Sequence, residues 1–185
     1  MKSLEKKNIY LGFFISVIVL LLCYNVIKAD DKIKIYADEI SVDEINEEVI
    51  AIGEAIAINE DDVKIKSDIL IYEKKDKLLE ANGNIIINDQ MNNSFFLDEL
   101  YASDNLNIIS GKSVKARLHD GSRIVGSSFN KNGEISAIEN AEYTPCKEKD
   151  YLIKNCPGWK LKSKKIYHDR KNKTIHYDHA QIQLF

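Results

Sequence analysis

Residues 37–59, ADEISVDEINEEVIAIGEAIAIN, and residues 67–88, SDILIYEKKDKLLEANGNIIIN, are two copies of one pattern set thirty positions apart. That offset lays Ala37-Asp38 on Ser67-Asp68, Ile40 on Leu70, Val42 on Tyr72 and Gly53 on Gly83. Each copy reads as strand, charged turn, strand, glycine, strand. A unit this short cannot bury an apolar face by itself. Repetition at a fixed period therefore predicts stacked supersecondary units that share one core.

Working outward, the dominant apolar period from Ile33 onward is two. Ile50, Ile52, Ile56 and Ile58 share one parity, and Ala51, Gly53, Ala55 and Ala57 the other. Val63, Ile65, Ile69 and Ile71 alternate with Lys64, Lys66 and Asp68, and Val114, Ala116 and Leu118 with Lys115 and Arg117. Trp159 and Leu161 alternate with lysines, and Ile175 and Tyr177 flank His176. β-Branched residues dominate, as half-buried strands prefer. The connectors are turn-like: 59–62, 74–77, Asp120-Gly121, 130–133 and 170–173. A looser third unit runs over 95–118, and 163–175 resembles 67–79. After the N-terminal segment, no stretch keeps a 3.6-residue apolar period. The expectation is an all-β stack of short antiparallel strands, rolled into a slot lined by Ile, Val, Leu and Ala.

The composition is that of a folded domain: 185 residues, 44% apolar, 30% charged, 2 prolines. Lysines and acids interleave around a formal charge of -3, which argues against a nucleic-acid partner. No GxSxG, phosphate-cradling glycine loop or HExxH is present. His176 and His179 stand three apart, on opposite faces of a strand, and His119 and His168 are isolated in sequence. With no nucleophile or base constellation the reading is not an enzyme, with no metal and no cofactor. A periplasmic hydrolase remains the catalytic alternative, since paired carboxylates need only meet in space.

At the N-terminus, Lys2, Lys6 and Lys7 precede an uncharged run from Ile9 to Cys23, and Ala29 stands before Asp30-Asp31. This describes an export signal over residues 1–29, with an uncleaved anchor as the alternative. Export favours a disulfide, so Cys146 and Cys156 are candidates for pairing with each other, against free thiols or an intermolecular bond. The last residues, Gln181 to Phe185, keep a strand pattern without a polar tail. An apolar edge of this kind calls for a covering protein or a longer polypeptide.

The paired patterns at 37–59 and 67–88 resemble the OstA-type repeat of lipopolysaccharide (LPS) transport proteins. Beyond them, YTPC at 143–146 followed by PGW at 157–159 is similar to the stretch after the repeats in the outer-membrane LPS-assembly protein (LptD) family. The resemblance implies a twisted, open β-jellyroll over 30–142, with 143–185 as a cysteine-containing insertion and last repeat leading toward a barrel that this chain lacks. It implies LPS acyl chains guided along an apolar groove to the outer membrane. The partners implied are LPS, other OstA-like proteins joined by edge-strand pairing, and, where a barrel is present, an outer-membrane lipoprotein. The location implied is the periplasm and the periplasmic face of the outer membrane. The groove residues expected are Ile40, Val42, Ile56, Ile58, Val63, Ile65, Ile69, Ile71, Ile85 and Ile87. In that family disulfides reach barrel cysteines, which leaves the pairing of Cys146 and Cys156 open. A stand-alone periplasmic bridge or membrane-anchored adaptor of the same system, and a structural β-solenoid without ligand, are the alternative readings.

Overall fold

The computed structural model describes residues 33–147, 156 and 158–185. The signal expected over 1–29 lies outside them. Fourteen strands follow: β1 (Ile33–Tyr36), β2 (Glu39–Asp43), β3 (Glu48–Asn59), β4 (Lys64–Glu73), β5 (Leu78–Asn82), β6 (Ile85–Asn88), β7 (Ser94–Leu97), β8 (Glu99–Ser103), β9 (Ile108–Arg117), β10 (Arg123–Asn132), β11 (Ile135–Thr144), β12 (Trp159–Asp169), β13 (Thr174–Asp178) and β14 (Gln181–Leu184). All the pairings are antiparallel and join one sheet. No helix occurs among the described residues.

The sheet is folded over on itself. Six long strands, β3, β4, β9, β10, β11 and β12, each belong to two half-sheets. The first half of β3 pairs with β2 and its second half with β1. Likewise β4 pairs with β6 and then β5, β9 with β8 and then β7, and β12 with β14 and then β13. Layer A thus has the order β2-β3-β4-β5-β8-β9-β10-β11-β12-β13. Layer B has the order β1-β3-β4-β6-β7-β9-β10-β11-β12-β14. The result is an all-β jellyroll with unpaired strands at both ends of each layer.

The bend comes from single residues in positive φ. In β3 the register slips between Ile52 and Ala55, at Gly53 (φ 81°) and Glu54 (φ 44°). The extra residue in β3 kinks the strand and raises its twist. Ser113 in β9 and Asn140 in β11 also adopt positive φ, without a change of register. The repeat has a physical cause here. The backbone N–H of Asp38 bonds Gly53 O at 3.0 Å, and that of Asp68 bonds Gly83 O at 2.9 Å. At both glycines a Cβ would run into the aspartate side chain.

Along the tip of layer A the turns stack as a ladder. Lys74 N bonds Glu47 O, Asp104 N bonds Lys77 O, Gly133 N bonds Asn107 O and Arg170 N bonds Glu134 O, at 2.9–3.0 Å. The stack runs without a break past the boundary expected at 142/143, which falls inside β11. The described residues form one compact unit.

Candidate functional site: an apolar trough between the half-sheets

Register carries two apolar rows across the inner faces. In layer A the row runs Ile40–Ala51–Leu70–Ala81–Leu100–Gly111–Phe129–Ile138–Ile166–Tyr177. In layer B it runs Ile35–Ala57–Ile65–Ile87–Phe95–Ala116–Ile124–Tyr143–Leu161–Ile182. Large and small residues alternate from Ile40 to Phe129 in layer A, and Ala57 and Ala116 break the large row of layer B, which lets side chains from the two layers interdigitate. Phe95 of layer B meets Phe129 of layer A with ring centroids 4.8 Å apart.

The trough is filled at one end and open at the other. Towards β1–β8 it is packed by Ile65, Leu70, Leu79, Leu100 and Leu106, each fully buried. Leu106 adopts φ +56° in the β8–β9 turn and points its side chain into the core. Between β6–β7 of layer B and β9–β13 a cavity of about 310 Å³ opens, walled by Phe95, Ile124, Phe129, Ile138, Tyr143 and Ile166. Ile175 and Tyr177 stand at its exposed rim. Beyond it, Ile182 and Leu184 continue the same inner face on β14 and are largely exposed.

Polar groups tie the two tips together. Asn59 Nδ2 donates to Asn105 O at 3.0 Å, from layer B to layer A. Arg170 Nη2 donates to Gln90 Oε1 at 2.9 Å, and Gln90 Nε2 to Asp61 O at 2.6 Å. Lys131 reaches through the cavity wall to Leu106 O at 3.0 Å. Burial pulls its ammonium below the ordinary lysine value, and Arg170 adds to the shift. At the other lip, hydrogen bonds from Ser122 hold the Asp120 carboxyl below its usual range, and burial pushes the Tyr177 phenol up.

The expected groove residues separate into three groups. Val63 and Ile87 line the cavity, while Ile65 and Ile85 face inward but sit in the packed core. Ile40 and Val42 lie on the inner face of the edge strand β2, 48% and 55% exposed, at the end away from the cavity. Ile56, Ile58, Ile69 and Ile71 are corrected: they point outward, paired with Lys66, Lys64, Ile52 and Ile50 on the wet side. The inner positions of β3 belong to Ala51, Ala55 and Ala57, because the flanking rows already supply large side chains. The wall from Phe129 to Tyr177 was visible in sequence only as alternation around His176 and before the cysteines.

Cys146 and Cys156 are bonded to each other, with Cα atoms 4.9 Å apart, across the β11–β12 connection. Tyr143 and Trp159, on either side of that link, pack with ring centroids 5.9 Å apart. Among the described residues no group of three or more His, Cys, Asp or Glu is placed to hold a metal ion.

No protein-family model matches this sequence, and no curated protein matches it. Among solved structures the chain is similar to LptH, the LptA homologous periplasmic component of the conserved lipopolysaccharide transport device from Pseudomonas aeruginosa. The match has 9% identity and a TM-score of 0.31, and covers 83% of this chain and 94% of that one. The fold is therefore read from the strand pairing itself.

Proposed function

We propose that this protein is a non-enzymatic carrier that takes the acyl chains of an LPS-type amphiphile into the trough, outside the inner membrane. The observation that carries the proposal is the mainly apolar cavity between the half-sheets, which opens at Ile175 and Tyr177 on the exposed strand β13. Acyl chains leave water for such a surface at roughly 0.8 kcal/mol per buried CH₂. A saccharide headgroup would remain at the polar lips. The sequence resemblance to the OstA-type repeat and to the stretch before the LPS-assembly barrel names the amphiphile and the system. Unpaired edges at β1/β2 and β13/β14 suit strand addition by neighbouring proteins of the same kind. Within that system we infer a role as the periplasmic domain of outer-membrane assembly.

The test is photocrosslinking to LPS from single positions. A crosslinker at Ile175 or Tyr177, on the rim, should label LPS, and one at Ile58 or Ile71, on the outer face, should not. Equal labelling from both faces, or none from the rim, would overturn the proposal. Ile65 is unsuitable as a probe because it is fully buried, so a charge there reports folding.

A further inference from the structure

The two layers present opposite charges to solvent. On the outer face of layer B, one row contains Lys34, Lys64, Arg117 and Arg123 and no acidic residue. The next row, from Tyr36 to Gln181, contains Lys66, Lys115 and Lys162 against Glu142. On the outer face of layer A, Asp43, Glu48 and Glu73 stand side by side on three adjacent strands. Further along that face Glu139 and Asp178 flank Lys165. Like charges opposite one another weaken a sheet. Segregation of this kind therefore does not serve folding.

We propose that the outer face of layer B docks on an anionic phospholipid bilayer and turns the acidic face of layer A to the solvent. Lys66 pairs with Glu54, and Glu142 holds Lys160 and Lys162. Lys34, Lys64 and Lys115 have no ion pair among the described residues. Tyr36, Phe96 and Val125 are exposed between these cations, in the same row as Lys115. Cationic heads on flexible apolar stems, interleaved with rings, match the headgroup level of a bilayer.

Lysine acylation of the full chain, read by mass spectrometry, tests this. The chain is mixed with vesicles of phosphatidylcholine plus phosphatidylglycerol, or of phosphatidylcholine alone. On the anionic vesicles, labelling of Lys34, Lys64 and Lys115 should fall by about fivefold or more, the factor that one surface cation contributes. Labelling of Lys112 and Lys165, on layer A, should not change. The protection should vanish near 1 M salt, where the Debye length is about 3 Å. The double variant Lys34→Glu/Lys115→Glu, at exposed sites outside the core, should abolish protection of Lys64. Equal protection on both vesicles would mean that the apolar N-terminal segment alone makes the contact. Protection without vesicles that grows with protein concentration would mean a second copy. Either outcome, or no protection at all, overturns the proposal.

Discussion

Gly53 and Gly83 are the residues on which the thirty-residue repeat turns. Both have positive φ, at 81° and 76°, and both lie against the aspartate fifteen positions earlier, Asp38 or Asp68. Alanine at either site would carry a left-handed backbone cost of roughly 1–2 kcal/mol, with a steric clash added. Gly53→Ala should therefore lower the urea midpoint by more than Gly133→Ala. Gly133 also has positive φ, but its missing Cβ faces open space. Equal losses at the two sites would show that the aspartate contact contributes nothing. A second residue-scale effect concerns Asp120, at the cavity lip. Its carboxylate accepts hydrogen bonds from Ser122 N at 2.9 Å and Ser122 Oγ at 2.6 Å, which lowers its pKa from 3.8. A depressed carboxylate contributes stability above its unfolded pKa, and that stability is lost as pH falls through the folded value. Wild-type protein should lose thermal stability below about pH 4. Asp120→Asn should lose less over that range, having no such charge to neutralise. Identical acid profiles for the two proteins would remove Asp120 from the account.

At the scale of the strand, what decides a residue's role is parity, and parity is where sequence and structure part. Period-two alternation, the charged turns and the repeat are all local properties, so the strands and their antiparallel stacking are legible in the chain. The inward face is not. In β3 the eye selects Ile56 and Ile58 as core, yet Ala55 and Ala57 are the fully buried pair. Two physical facts hide this. The bulge at Gly53–Glu54 breaks the alternation within one strand, and small inner residues are required wherever adjacent strands supply Ile65 or Leu70. Both depend on neighbours that are distant in sequence. The same holds for the cavity, whose walls join strands β6, β7, β9, β10, β11, β12 and β13. The parity assignment predicts a contrast within β4. Ile65→Ala should cost about 2–5 kcal/mol, as deletions in a packed core do. Ile71→Thr, on the half-exposed outer face, should stay within about 1 kcal/mol, the span of strand preference. Chemical denaturation measures both, and a reversed order would invert the assignment of faces.

At the scale of the whole molecule, the interior is unevenly filled. Leucines and isoleucines fill it around β3–β5 and β8, while between β6–β7 and β9–β13 the walls include Ser136, Ser122 and His168 and leave the cavity. A protein selected for stability alone would fill that volume, since a void forfeits contact energy along its whole lining. The carrier role proposed above requires an occupant there, and filling the cavity should separate stability from binding. Ser136 is suited to this. It lies on the inner face of β11 between Lys131 and His168, lines the cavity, and is half-buried. Ser136→Phe would place a ring in the empty space on a strand that accepts aromatics. The unfolding midpoint should hold or rise, and binding of a fluorescent long-chain amphiphile should weaken by about tenfold or more, the loss of roughly 1.4 kcal/mol. The outward control Ile71→Phe should leave binding unchanged. If Ser136→Phe folds and still binds as wild type does, the acyl chain lies elsewhere, along the exposed β13–β14 face. If binding falls only together with the midpoint, the cavity is a packing defect and the carrier reading fails with it.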